Sequence, residues 1–176
     1  MGAVTVQRIR AAELDDLPAL RRVYRSSSLS VERFREILLA NPETLELSGQ
    51  AVIEGRTRVA VGTNGEILGF ITGLSLRESV LELEDLFVDP RWMRRGVARR
   101  LVEDLAAAAR RDRVTVIEVT ANPAAVAFYR SVGFVHLHDT ETRFGPAPRM
   151  QLLLAPAPAA PRSSAVSRFP RSRRGC

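Results

Sequence analysis

Apolar positions along this chain follow two periods, and the changes from one to the other divide it into elements. Alternation in "VTVQRI", Val4 to Ile9, predicts a first strand. "ELDDLPALRRVYRS" shifts to helical spacing: its first turn is acidic, Pro18 lies near the start, and Leu17, Leu20, Val23 and Tyr24 share one stripe. A second helix, "VERFREILLA", follows Ser30 as N-cap and stops at Asn41-Pro42, because a residue before proline is pushed out of the helical region. "AVIEG", "TRVAVGTNGEILGFITGLSL" and "SVLELEDLFV" return to strand-like runs holding antiparallel strands two, three and four, with Asn64-Gly65 as a tight hairpin turn. Then come a helix from near Val97 to about Ala109, the strand "VTVIEV", a short helix from Pro123 to about Ser131, and the strands "FVHLHDTETR" and "RMQLLL". The order β-α-α-β-β-β-α-β-α-β-β predicts an α/β (α+β) fold: one mixed sheet of about seven strands, mostly antiparallel, with helices on its faces.

Composition narrows the class. The 176 residues suit one domain, and a hydrophobic fraction of 45% is enough for a core. No run of eighteen apolar residues occurs and "MGAVTVQRIR" lacks the apolar core of a secretory signal, so a soluble cytoplasmic protein is expected. The single cysteine, Cys176, permits no internal disulfide and no cysteine metal cluster, and His136 and His138 sit in an alternating segment as strand residues, so no metal is expected. All 26 basic residues are arginine. The net charge of +6 is concentrated in residues 155 to 176, which hold five arginines and no acid, while residues 1 to 154 carry 21 arginines against 20 acids. A nucleic-acid-binding core is therefore not indicated, and neither is a membrane partner. The stretch "APAPAAPRSSAVSRFPRSRRGC" reads as a disordered tail following a domain over residues 1 to 154.

The candidate chemistry lies in "LEDLFVDPRWMRRGVARRLVEDL", Leu83 to Leu105. A strand ending at Val88 feeds a turn and a helix beginning near Val97, and the first N–H groups of a helix have no intrahelical partners. Together with the helix dipole they suit phosphate oxygens. Gly96 allows close backbone approach, Ala98 is small, and Arg94, Arg95, Arg99 and Arg100 raise the local positive potential. Neither a G-x-x-x-x-G-K-[ST] loop nor a G-x-G-x-x-G loop is present.

This stretch resembles motif A of the GNAT superfamily of N-acetyltransferases, V-x-P-x-x-[QR]-x-x-G-x-[GA] running into a helix. Val88, Pro90, Gly96 and Ala98 fall on the pattern, and Met93 departs from it at the Gln/Arg position. "NPAAVAFYRSVGF", Asn122 to Phe134, is similar to the family's motif B, N-x-x-A-x-x-F-Y-x-x-x-G-F, at every fixed position. The resemblance spans roughly Val4 to Leu154.

The resemblance implies acetyl transfer from acetyl-CoA to a primary amine, on a small molecule or a peptide, with a homodimer left open. It implies that Arg94, Arg95, Gly96, Val97, Ala98 and Arg99 hold the pyrophosphate. Backbone groups of Leu86, Phe87 and Val88 would bind the pantetheine arm on a strand splayed from its neighbour, and the Val88 amide would polarise the acetyl carbonyl. Asn122 would reach the cofactor arm, and it equally suits a helix N-cap before Pro123. Tyr129 is the implied proton donor to the thiolate. Glu84 is either the base or a charge paired with a neighbouring arginine. Straight alternation puts Glu82, Glu84 and Leu86 on one face of the strand and Leu83, Asp85 and Phe87 on the other. Trp92 is expected to pack, and Gly133 to end the second motif's helix. A non-catalytic acyl-CoA-binding domain and a nucleic-acid-associated protein acting through its tail are the competing readings.

Overall fold

The computed structural model describes residues 5–77 and 79–155. The expected tail lies, apart from Ala155, outside them. Strand β1 (Val6–Ala11) leads through a 3-10 turn into α1 (Leu17–Leu29), followed by α2 (Glu32–Ala40) and α3 (Gln50–Ile53). The antiparallel strands β2 (Thr57–Gly62), β3 (Ile67–Arg77) and β4 (Val80–Val88) come next, then α4 (Val97–Arg111) and β5 (Val116–Thr120). Helix α5 (Val126–Ser131) and the hairpin β6 (Val135–Thr142) and β7 (Gly145–Leu153) complete the order. The seven strands form one sheet, β1-β2-β3-β4-β5-β7-β6, in which only β4 and β5 run parallel. The expected mixed sheet is therefore present.

Alternating side chains send the strands' apolar residues to two cores. Val59, Val61, Ile67 and Phe70 pack with Leu20 and Val23 of α1 and Val52 of α3. Ala60, Leu68, Ile71 and Leu83 pack on the opposite face, with Leu101, Val102 and Leu105 of α4 and Tyr129 of α5. Phe70, Leu20, Ile71, Leu101, Ile117 and Met150 are fully buried, each fixing an element to the sheet by roughly 1.5–3 kcal/mol of apolar transfer. Gly69 lies where β3 closes on the end of β4: a Cβ there would sit 2.7 Å from the Phe87 carbonyl oxygen, so any larger residue would push that end of β4 away.

Three local expectations are corrected. "AVIEG" lies in the region read as strands, yet Gln50–Ile53 is a single helical turn that buries Val52 against α1's core. Ser30 does not cap α2; its Oγ donates to Ser27 O (2.7 Å) and closes α1, leaving Val31 at the start of α2 without a side-chain cap. The alternation of β4 is broken by a bulge: Asp85 pairs with Thr72 and Leu83 with Gly73, so Glu84 is the extra residue. Leu83 consequently joins Leu86 and Val88 on the α4 face and parts from Phe87, which packs on the α1 face.

The Asn64-Gly65 turn forms as expected, with Gly65 at φ +81° and Asn64 Oδ1 accepting from the Glu66 amide (3.1 Å). Among the described residues no helix is long and apolar enough to cross a membrane.

Candidate active site

The site begins where the parallel pair stops. β4 and β5 are in register only at Val80–Val116, Leu81–Ile117 and Glu82–Glu118. Beyond Glu82, β4 continues against β3 alone, as far as Val88–Gly69, while β5 continues against β7 as far as Thr120–Arg149. The edge of β4 from Leu83 to Val88 thus faces a cleft of about 840 Å³. At the apex, Arg149 of β7 spans both strands: its Nη1 donates to Glu82 Oε1 (2.6 Å) and its Nη2 to Glu118 Oε2 (2.6 Å). Two carboxylates side by side on adjacent strands repel each other, and the guanidinium between them offsets that repulsion.

One wall of the cleft is the turn after β4. Asp89 is buried and its Oδ1 accepts from the Arg91 backbone N–H (3.0 Å) and from Arg91 Nε (3.0 Å), which holds its carboxyl below the usual carboxylate range. Pro90–Trp92 makes a 3-10 turn, and the chain then passes Arg94 at φ +60° and Gly96 at φ +78° before α4 begins. Two left-handed residues so close together turn the chain into α4, and glycine takes that conformation without steric cost. A Cβ at Gly96 would meet nothing within 4 Å, so the space beside it is open. Arg94, Gly96, Val97, Ala98 and Arg99 all line the cleft. Arg95 does not: its guanidinium lies over the Trp92 ring, 5.0 Å from the centroid. Trp92 packs against the main core, as expected, with its Nε1 buried and without a hydrogen-bond partner among the described residues.

The facing wall comes from β5 and α5. Asn122 caps the 3-10 turn Pro123–Ala125, its Oδ1 accepting from the Ala124 amide (3.0 Å), which leaves the Nδ2 group as the end that can donate elsewhere. Tyr129 is 6% exposed, stacked edge-on between Phe128 and Phe134 at 5.3 Å from each. The hydroxyl of Tyr129 has no hydrogen-bond partner among the described residues. Burial pushes its phenol up from the ordinary value and the charge of Asp85 adds to this, so the proton stays on at neutral pH. Gly133 ends the helix at φ +99°, and Phe134 N–H bonds back to Tyr129 O (3.0 Å), which fixes the ring.

Glu84 lines the cleft from the bulge, and its carboxylate is paired with Arg56, which also holds Glu54 (2.6 Å). Leu86, Phe87 and Val88 line the same cleft, so the expected residues are brought together with two exceptions, Arg95 and Arg100, whose Nη1 donates instead to Val6 O (2.6 Å). Asp85 was not among the expected site residues: it is a buried carboxyl pushed up by desolvation, and its charge adds to the burial that raises the phenols of Tyr24 and Tyr129. The sequence reading also missed the Arg149 clamp and the far end of the cleft, where Tyr24, Ser27, Phe34, Arg143 and Phe144 converge. A carboxylate within an apolar strand was the available signal for Asp85; no signal joined Arg149 to Glu82, 67 positions away.

The family model for the acetyltransferase (GNAT) domain matches residues 25–148, more than half of the chain. No curated protein matches it. Among solved structures, it is similar to the ribosomal-protein-S18-alanine N-acetyltransferase of Escherichia coli (22% identity, TM-score 0.63, covering 89% of this chain and 97% of that one). The ribosomal-protein-alanine N-acetyltransferase of Brucella melitensis gives 25% identity and a TM-score of 0.62 over 84% and 99%. The PaiA N-acetyltransferase of Thermoplasma acidophilum, solved in complex with coenzyme A, gives 16% and 0.68 over 86% and 99%. What these structures share with the chain is the fold. With the sheet, the parted strands and the matched domain in agreement, the chain belongs to the GNAT superfamily of acetyltransferases.

Proposed function

We propose that this protein moves an acetyl group from acetyl-CoA to a primary amine by direct attack. The observation that carries this reading is the parting of β4 from β5 after Glu82, which opens one cleft onto the β4 edge, the start of α4 and Tyr129 together. The residues present fit the cofactor. The open space beside Gly96, the amides of Val97, Ala98 and Arg99, which have no intrahelical partner, and the charges of Arg94 and Arg99 suit a pyrophosphate. Arg95 adds charge from its position over Trp92 without lining the cleft. Leu86 and Val88 offer backbone groups to an extended amide arm, while Phe87, whose backbone faces Phe70 on β3, lines it with its side chain, and Asn122 offers its Nδ2.

Acetyl-CoA, when bound, supplies an activated acetyl thioester. The amide of Val88 stabilises negative charge developing on the acetyl oxygen. Tyr129 holds a proton in a buried, water-poor position and gives it to the departing sulfur. Glu84, on the cleft lining, takes the amine's proton directly or through water, with Arg56 fixing the carboxylate at the rim. Localisation in the cytoplasm and a small-molecule or peptide acceptor belong to the same proposal.

The test uses Gly96→Asp, which sets a carboxylate where the phosphates would lie. Aspartate tolerates a left-handed backbone at a cost of about 1 kcal/mol, so the variant folds. Acetyl-CoA at 100 times its Kd raises wild-type stability by about 2.7 kcal/mol through binding the folded state alone. The variant loses that shift; an equal shift in both proteins overturns the phosphate assignment.

A further inference from the structure

The far end of the cleft carries its own electrical signature. Among the described residues lining the cleft Glu84 is the sole carboxylate, and Arg56 already holds it. The hairpin between β6 and β7 contributes Arg143, which has no carboxylate partner among the described residues. Its placement is braced. Thr142 Oγ1 donates to Gly145 O (2.7 Å) and accepts from the Phe144 amide (3.1 Å), which sets the turn. The Phe144 ring meets Phe34 of α2 at 5.9 Å, and the Arg143 guanidinium lies 4.6 Å over Phe144. This stack reaches across the open end from one wall to the other. The phenol of Tyr24 on α1, whose hydroxyl donates to Thr44 O (2.9 Å), is pushed up by burial and by Asp85 and drawn back by Arg143.

Such an end is mismatched to a polycation, which needs several carboxylates to replace its hydration. It matches an acceptor that has one amine, one anion and an apolar body. A guanidinium oriented over a ring presents its fork to a carboxylate with little further loss of side-chain freedom. The two phenyl rings offer apolar surface beside it.

We propose that the acceptor is a primary amine that also carries a carboxylate, bound by Arg143 with its apolar part against Phe34 and Phe144, and that polycationic amines are rejected. This rests on the acetyltransferase reading. The carboxylate can belong to a free amino acid or to an acidic side chain next to a peptide N-terminus; the chemistry at Arg143 is the same.

The experiment compares phenylalanine with its carboxamide, a short peptide having glutamate second with the same peptide having lysine second, and spermidine. Two readouts are taken on the full chain: CoA release with acetyl-CoA, and calorimetric titration of each amine into CoA-saturated protein. Each carboxylate acceptor is expected to exceed its neutral or cationic counterpart by about 10-fold or more in kcat/KM or affinity. The arm with the larger ratio identifies the source of the carboxylate. Arg143→Gln should reduce that ratio to near one, mainly through KM, and Arg143→Glu should invert it. Equal values across the pairs, spermidine as the best acceptor, a ratio untouched by Arg143→Gln, or no binding of any carboxylate to a CoA-loaded protein would overturn the proposal. Failure of acetyl-CoA to bind would instead count against the acetyltransferase reading, and the titration of amines into the free protein still decides the charge preference.

Discussion

Asp85 and Tyr129 define the site's electrostatics through opposite chemistry with a shared cause. Both are buried, so each is pushed toward its neutral form, and a charged Asp85 pushes Tyr129 further. For Asp85 the consequence for stability has a definite sign. A carboxyl with a raised folded-state pKa binds its proton more tightly in the native protein, so stability falls as pH rises from the ordinary carboxylate range through the raised value. Asp16 and Asp89, held low by Arg10 and Arg91, act the other way: their contribution is present above the ordinary range and is lost as pH falls. Asp85→Asn should therefore melt a few degrees above wild type at neutral pH, with the gap closing in acid below the carboxylate range. Melting curves across pH check this; a variant less stable at neutral pH than in acid, relative to wild type, contradicts it.

Among the elements, the β4–β5 junction determines whether a cleft exists. The strands pair through Glu82 and Glu118 and no further, and Arg149 bridges those two carboxylates at the last paired position. Arg149→Met would leave two facing carboxylates, each mostly shielded from water, and should cost about 2 kcal/mol, or roughly 5 °C in melting temperature for a domain of this size. Adding Glu82→Gln and Glu118→Gln should restore part of the loss, because the repulsion goes with the charges. No change in the single variant, measured by thermal denaturation, would show that the junction holds without the clamp. Elements with several turns of periodic pattern were legible in the sequence: α1 and α4 each show an unbroken apolar stripe, and the Asn64-Gly65 turn has a conformational reason. Gln50–Ile53 was not, since one helical turn is too short to display a period and its valine and isoleucine suit a strand equally well. The bulge at Glu84 was hidden for a related reason. An extra residue in a ladder leaves no mark in composition, yet it reverses the side of every residue counted past it, which is why Leu83 was expected beside Phe87.

At the scale of the whole molecule, the two halves of the cleft differ in how they are encoded. The end proposed for the cofactor is assembled from two continuous segments, Leu83–Leu105 and Asn122–Phe134, whose glycine, proline and aromatic positions have local mechanical reasons and so can be read along the chain. The end proposed for the acceptor draws Tyr24 and Phe34 from the first third of the chain and Arg143 and Phe144 from the last, and only the folded sheet brings them together. Acetyl transfer and silent acyl-CoA binding predict different outcomes for one measurement. Wild type and Tyr129→Phe are incubated with acetyl-CoA and a panel of amines, and free CoA thiol and acetylated amine are counted in the same samples. Wild type is expected to yield one acetylated amine per CoA released. In Tyr129→Phe, turnover falls by about 10²- to 10⁴-fold, the range typical of a lost general acid, while acetyl-CoA binding survives because the ring still packs. Binding of acetyl-CoA without acetylation of any amine, or undiminished turnover in Tyr129→Phe when chemistry limits the rate, would contradict acetyl transfer with Tyr129 as proton donor.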